Sequence, residues 1–517
     1  MSASREKKQR MASTANGPTE KQRREAAEAS KARTRTILYT VIGVVIAVLV
    51  IALLVWHSGI FEKGKVVATV NGEDYTVAEM GYYYYPTANM YNRYGIAMDE
   101  ATLRQNAVDS LQYTAALAAA AQADGFTLSE EGAASVDETI ASLRTYAAQS
   151  GLSFTAYIRN AYGPYMTESL LRECLTRDTL VQEYYNDHSD SLTYEESEIQ
   201  AYYEEHADEL DTFTYSAVFI DGTVESTTDD SGNTVEPTEE ETAAAMADAQ
   251  AAADQMIQDL EAGGDFDTLA AAAEAAGQEE TSSDTETTDD TEETEPTSYE
   301  TTALGSSLSS NLNSSTDCVD WLTDTARQSG DLTTIEVADS GYWVLRFQER
   351  YRDEASWGDV NVRHIFIQAE VAEGADAPTD EAIQAAQEEA QSLLDQFNAG
   401  EQTAEAFAAL AEEYSDDSGS NTNGGLYEHV TRSTNFFTAF LNWCFEDGRQ
   451  VGDTGLVENT QSGQQGWHVM YLDAQNELLW HYTADNALRN ADLTAWTDEL
   501  QTTYPVTTDE ANLALLG

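Results

Sequence analysis

VNVRHIFI, Val360 to Ile367, reads as a strand, a run of β-branched and aromatic apolar residues enclosing one Arg-His pair. Downstream of it the pattern turns helical, AIQAAQEEAQSLLDQFNAGEQTAEAFAALAEEY over 382–414. Then come LNWCFEDGRQVGDTG (441–455) and a second strand-like run, QGWHVMYLDA (465–474). The same order occurs earlier in the chain. FTYSAVFI (213–220) precedes a helical stretch over 246–277, followed by DWLTDTARQSGDL (320–332) and SGYWVLRFQER (340–350). Phe219 answers to Phe366, Phe266 to Phe407, Trp321 to Trp443 and Gly341 to Gly466, at offsets of 122 to 147 residues. Order is kept while spacing varies, as expected when elements are retained and loops are not. The fold class is therefore α+β, with two copies of a β–helix–helix–helix–β unit over 211–352 and 353–476.

The first copy carries two insertions, 224–242 and 278–300, rich in Thr, Ser, Asp and Glu. With almost no apolar side chains to bury, they read as solvated loops. Upstream, VVATVNGEDYTVAEM (66–80) places Asn71-Gly72 between two short apolar runs, a hairpin signal. Thr76 and Glu79 have capping-box spacing, which predicts a helix start. Residues 66–210 form a mainly helical region, alanine-rich and studded with aromatics, with Gly and Pro expected at its breaks. Those aromatics serve either helix packing or a groove for apolar peptide. The segment 477–517 reads as one or two closing helices.

The 517 residues carry a formal net charge of −66, very unevenly spread. Residues 1–36 hold ten Lys/Arg against four Glu, so the remainder carries −72. Such an acidic body repels phosphate backbones, and nucleic acid is excluded as a partner. ILYTVIGVVIAVLVIALLVW (37–56) is an uncharged run of twenty residues, long enough to cross roughly 30 Å of hydrocarbon. With the basic arm on its N-terminal side, residues 1–36 are expected in the cytoplasm and the bulk of the chain outside the cell membrane, anchored by a single pass. Cys174, Cys318 and Cys444 are far apart and form no CxxC; they read as buried small apolar residues, and no metal site follows.

Seven histidines are scattered through the chain. His364 lies in the first strand of the second copy and His468 in its last. In a small sheet those strands can be neighbours, which would bring the imidazoles together. Between them lies YSDDSGSNTNGGLYE (414–428). A calcium loop is excluded: registers that put Gly424 or Gly419 at the sixth position place Val430 or Gly425 where a bidentate glutamate is needed. A solvated linker or one wall of an active site remains.

Taken in order, Arg363-His364-Ile365, Phe407…Leu410-Ala411…Tyr414-Ser415-Asp416-Asp417, Asn423-Gly424-Gly425, Phe440…Phe445 and Gly466-Trp467-His468 resemble the parvulin-type peptidyl-prolyl cis–trans isomerases over about 357–475. The segment 66–205, with VATVNGEDYT near its start, is similar to the N-terminal chaperone region of PrsA-type extracytoplasmic foldases and SurA-like chaperones. The resemblance implies an isomerase of X–Pro bonds in unfolded or exported polypeptides, one needing no cofactor and no metal. It implies that His364 and His468 form the pocket floor and that Asp417 stands beside the twisting amide. Leu426, Phe436 and Phe440 would line the proline-binding hollow, Phe436 standing where methionine is more usual. In the first copy Ala217 and Trp343 replace the two histidines, so that copy is expected to be degenerate. The second copy departs at Leu426-Tyr427-Glu428, where a further turn glycine is usual, and in an enlarged turn, NTQSGQQG (459–466). These departures keep a second expectation open, a non-catalytic holdase chaperone that uses both copies as scaffold.

Overall fold

The computed structural model describes residues 21, 40, 42–50, 62–228, 232–279, 298–372, 374–375 and 377–516. It divides into two compact units, one of residues 1–192 with 492–517 and one of residues 193–491. Half of the apolar run 37–56 lies outside the described residues. Its residues 42–50 are helical, and Val44, Ile46 and Val48 are exposed. Among the described residues no helix is long and apolar enough to cross a membrane.

In the first unit, strands β1 (Val66–Val70) and β2 (Glu73–Thr76) pair antiparallel. Asn71 and Gly72 both take positive φ, 50° and 80°, the left-handed pair that a two-residue hairpin turn requires. Thr76 then caps helix Val77–Arg93. Its hydroxyl accepts from the Glu79 N–H, and the Glu79 carboxylate accepts from the Thr76 N–H at 2.9 Å. Helices Glu100–Asp124, Glu130–Gln149, Phe154–Tyr162 and Glu168–Ser191 follow, each entered through an Asp, Ser or Thr cap. Pro86 lies inside the first of these five helices, so proline is not confined to the breaks. The tyrosine run is largely spent on packing. Tyr84 is buried, and Tyr82 stacks on Tyr162 at 5.4 Å while donating to Asp178 at 2.7 Å.

The C-terminal segment holds two helices, Leu479–Thr503 and Glu510–Leu513, and adds an unexpected strand between them: Val506–Thr508 pairs with β1, giving a three-stranded sheet. Three residues carry too little pattern to be seen as a strand without their partner.

The second unit contains two four-stranded antiparallel sheets. In the first, β3 (Thr212–Asp221), β4 (Glu300–Leu304), β5 (Leu332–Val337) and β6 (Gly341–Tyr351) are arranged β4-β3-β6-β5. In the second, β7 (Trp357–Gln368), β8 (Leu426–Thr431), β9 (Thr454–Asn459) and β10 (Gly466–Leu478) are arranged β8-β7-β10-β9. The two orders are the same. So is the register: Phe219 lies opposite Trp343 where Phe366 lies opposite His468, and Ala217 opposite Leu345 where His364 lies opposite Met470. Each copy thus has four strands rather than two, the added ones being short edge strands.

Both faces of the second sheet are covered. Ile365, Ile367, Val469 and Tyr471 pack under helices Asp380–Ala399 and Ala404–Tyr414, with Leu393, Phe397 and Phe407 filling the layer. On the other face Val360, Val362, Met470 and Leu472 meet Phe440, Trp443 and Cys444 of helix Thr438–Cys444. Burying each of these large side chains stabilises by about 1.5–3 kcal/mol, enough to hold the two central strands in one register. Cys174, Cys318 and Cys444 are all buried and free. The first insertion is not wholly loop: it contains a two-residue ribbon, Thr227–Thr228 with Thr234–Val235, and the start of helix Glu239–Glu261. Most of the second, 280–297, lies outside the described residues.

Candidate active site

Strand alternation places His364 and Phe366 of β7, and His468 of β10, on the face away from the two long helices. His468 sits directly opposite Phe366, and the rings stack at 4.5 Å. Two residues along the strand, His364 meets His468 ring to ring, Nδ1 to Nδ1 at 2.8 Å. Both histidines are buried, 3% and 6% exposed.

The loop after helix Ala404–Tyr414 brings Asp417 to them. Asp416 accepts the Gln368 N–H at 2.9 Å and donates its own N–H to the Phe366 carbonyl at 2.8 Å, tying the loop to β7. The chain then curls tightly, with Asn421 N–H on the Asp417 carbonyl at 2.9 Å and Gly425 N–H on the Ser420 carbonyl at 2.9 Å. Gly424 and Gly425 close the curl at φ of 64° and 70°. A side chain at Gly425 would stand 2.2 Å from the His364 carbonyl, so the double glycine lets the loop lie against the strand.

Asp417 is a heavily used acceptor. Its Oδ2 receives His364 Nε2 at 2.9 Å, the Ser420 hydroxyl at 2.5 Å and the Tyr427 hydroxyl at 2.9 Å, and its Oδ1 the Gly419 N–H at 3.1 Å. The bond from His364, helped by the Ser420, Gly419 and Tyr427 donors, holds this carboxyl far below the usual carboxylate range. Burial, followed by the neighbouring His364 imidazole, pushes His468 down to about 3, so it is neutral at ordinary pH. Burial and the Asp417 carboxylate push the Tyr427 hydroxyl up to about 12, keeping it a donor.

These charge states accommodate one continuous arrangement of protons. With His364 neutral, donation from its Nε2 to ionised Asp417 leaves its Nδ1 an acceptor. His468 then donates from Nδ1, and its Nε2 accepts from the Asn459 amide at 3.4 Å. The result is a one-way chain, Asn459 to His468 to His364 to Asp417, crossing three strands and one loop.

Above this floor is a cleft of about 450 Å3. Phe366, Phe436, Phe437 and Phe440 form its apolar walls, with Asp417, Tyr427, Asn459 and the two histidines at its base. Phe436 and Phe440 are 4.7 Å apart, and Phe437 lies 5.2 Å from His468. Leu426 is the exception among the residues expected there. It pairs with Arg363, on the sheet face opposite His364, and does not line the cleft. Its neighbour Tyr427 pairs with Val362 and faces His364 at 5.3 Å. A one-residue step in a strand reverses the side, which explains the misplacement. The enlarged turn before His468 brings Gln461, Gly463 and Gln464 to the rim, and Gln368 fixes it through the Gly463 carbonyl at 3.2 Å. Ser420, Tyr427 and Asn459 escaped the sequence reading. Only the periodicity of two on β8 carried a signal for any of them.

In the first sheet the corresponding positions are Ala217, Phe219, Trp343 and Val337. None of them can continue a hydrogen-bond chain of this kind, except for a single indole N–H that has no partner.

Two regions of the chain match known families. Residues 342–476 match the PPIC-type PPIASE domain family, and residues 30–184 match the SurA-like N-terminal domain family. A chaperone SurA of Pseudomonas fluorescens (strain Pf0-1) is 29% identical over 197 residues, 35% of this chain and 39% of that protein. This chain therefore spans about two-fifths of the curated relative it matches. Among solved structures, a peptidylprolyl isomerase PrsA of Bacillus cereus aligns at 19% identity and TM-score 0.19, covering 30% of this chain and 54% of that one. One of two SurA-like chaperones of Campylobacter jejuni aligns at 11% identity and TM-score 0.14, covering 85% of this chain and 96% of its own. The chain resembles the parvulin-type, SurA/PrsA-like foldases, joining a SurA-like N-terminal domain to a PPIC-type PPIase domain.

Proposed function

We propose that the protein is a membrane-anchored extracytoplasmic foldase that isomerises X–Pro bonds in unfolded or exported polypeptides, using the cleft of its second parvulin-like domain. The observation that carries this reading is the chain His468–His364–Asp417 at the base of a phenylalanine-walled hollow. A peptide bond resists rotation by ~18–20 kcal/mol through its C–N resonance, and X–Pro is the bond whose cis form is well populated. Rotation breaks no covalent bond and consumes no proton, so the protein has only to hold the twisted amide better than either planar form. In this reading Phe436, Phe437 and Phe440 take the proline ring, and the histidine pair presents a fixed dipole to the amide. Asp417, saturated by four donors, acts as a positioning residue for His364 rather than as a base. The first copy, lacking both histidines, serves as a non-catalytic parvulin-like module. The apolar run 37–56 holds the protein to the membrane.

The test is isomerisation of a short X–Pro peptide by the full chain in detergent. Replacing His364 or Asp417 with Ala removes a buried partner of about 1–3 kcal/mol, which translates into a drop in kcat/KM of about 10- to 100-fold. Wild-type rates in both variants would remove the site assignment.

A second reading, a holdase without isomerase activity, draws on Met90, Tyr94 and Ile96 of the helical unit. They are 47%, 71% and 52% exposed within seven residues of chain, an apolar patch suited to unfolded segments. Suppressed aggregation with unaltered proline kinetics would select it.

A further inference from the structure

The rim of the cleft has an electrostatic character that its hydrophobic floor does not use. Around the apolar walls, the polar lining is Gln368, Asp416, Ser418, Asn435, Gln461 and Gln464, and no Lys or Arg lines the cleft. Asp416 is exposed there, while Asp417 is enclosed by its four donors. Asp416 and Gln368 also form one end of a second cleft of about 500 Å3, which runs on over the end of β7. Its other walls are Ile367, Ala369, Glu370, Val371, Glu389 and Tyr414. The two clefts share Gln368 and Asp416 in their linings, so a chain leaving the proline hollow past Asp416 would follow a groove into a recess whose sides carry Glu370 and Glu389 around Tyr414 and Val371. Among the described residues no Lys or Arg forms an ion pair with Asp416, Glu370 or Glu389, although six arginines of this unit do pair with carboxylates.

We infer that this groove makes the isomerase selective for X–Pro segments with a Lys or Arg beside the proline, and that Asp416 and Glu389 are specificity-determining residues. The inference rests on the isomerase reading above and adds the class of substrate to it. A long cationic side chain matches both parts of the recess. Its methylene stem lies along Tyr414 and Val371, and its head group reaches the carboxylates. An acidic side chain at the same place meets three like charges. The chain's net charge of −66 reinforces the choice at long range, drawing cationic segments to the cleft and making the effect dependent on ionic strength.

The experiment uses the full chain in detergent and matched tetrapeptides with Lys, Leu or Glu before the proline, with a parallel set after it. In at least one set, kcat/KM for Lys should exceed that for Glu by about three- to tenfold at low salt. That ratio should shrink at 0.5 M NaCl, a salt level chosen for the assay at which the screening length is only about 4 Å. The double variant Asp416→Asn with Glu389→Gln should bring it close to one. Equal rates for Lys and Glu in both sets, in a protein that turns over the Leu peptide, overturn the inference and leave the isomerase reading standing. If no peptide is turned over, the isomerase reading fails. Peptide affinities from fluorescence anisotropy then decide the groove's preference: tighter Lys than Glu binding supports it, and equal affinities overturn it.

Discussion

At the scale of single residues, the candidate site depends on where protons sit. With Asp417 ionised and both imidazoles neutral, the donors form one chain in which His364 carries its proton on Nε2 and His468 on Nδ1. Long-range 1H–15N correlation at pH 5 should show His468 as the neutral Nδ1–H tautomer, while exposed histidines are largely protonated. An imidazolium or Nε2–H signal for His468 would contradict the arrangement. His364, His468, Asp417, Phe436 and Phe440 could be picked out in the sequence because motif order carries chemistry. Leu426 could not be told from Tyr427, because a loop of unknown length precedes β8 and sets which residue faces inward. Ser420 and Asn459 had no signal of their own, since Ser and Asn are common in any polar loop. They gain a role only through the atoms they reach.

At the scale of elements, the double glycine of the Asp417 loop should be the most sensitive backbone position. Gly425→Ala must accept φ of 70° and bring a methyl against the His364 carbonyl. A left-handed conformation alone costs roughly 1–2 kcal/mol, and the contact adds to it. Hydrogen exchange in peptides covering β7 should accelerate by at least about tenfold, the equivalent of 1.4 kcal/mol. Gly448→Ala, at φ of 80° but with nothing within 4 Å, should show a smaller effect. Comparable exchange in the two variants would mean that the close approach to His364 is unimportant. The hairpin at Asn71-Gly72 and the capping box at Thr76 were legible beforehand because each is a local device, complete within four residues. The edge strands β4, β5, β8 and β9 were not, because short strands acquire their identity from the strand beside them.

At the scale of the whole molecule, acid should weaken the second unit. His468 is held near 3 in the fold, against about 6.5 when unfolded. Between those values the unfolded chain binds the extra proton, so stability falls as pH drops, by up to about 1.4 kcal/mol per unit. Asp417 acts in the same direction at lower pH: its stabilisation is present above its unfolded value of about 3.9 and is lost as pH falls through its depressed folded value. Urea midpoints followed by circular dichroism should therefore decline from pH 7 to pH 4.5, and His468→Phe should flatten that decline. An unchanged slope would assign the pH dependence to other groups. On the anchored reading proposed above, the full chain should sediment with membranes and deletion of residues 1–61 should move it to the soluble fraction; a full chain found in the soluble fraction, or a deletion that stays with membranes, would overturn the anchor.

Composition and order were enough to establish an acidic body, a basic arm followed by an apolar run, a helical region and two related α+β copies. Charge, hydrophobicity and repeat order are properties of the chain itself and survive without coordinates. The pairing of His364 with His468 across 104 positions, the side on which Tyr427 falls and the return of Val506–Thr508 to β1 were decided only in three dimensions. Each depends on register between strands distant in sequence. Register is set by the burial of both sheet faces together, which no local stretch of residues specifies.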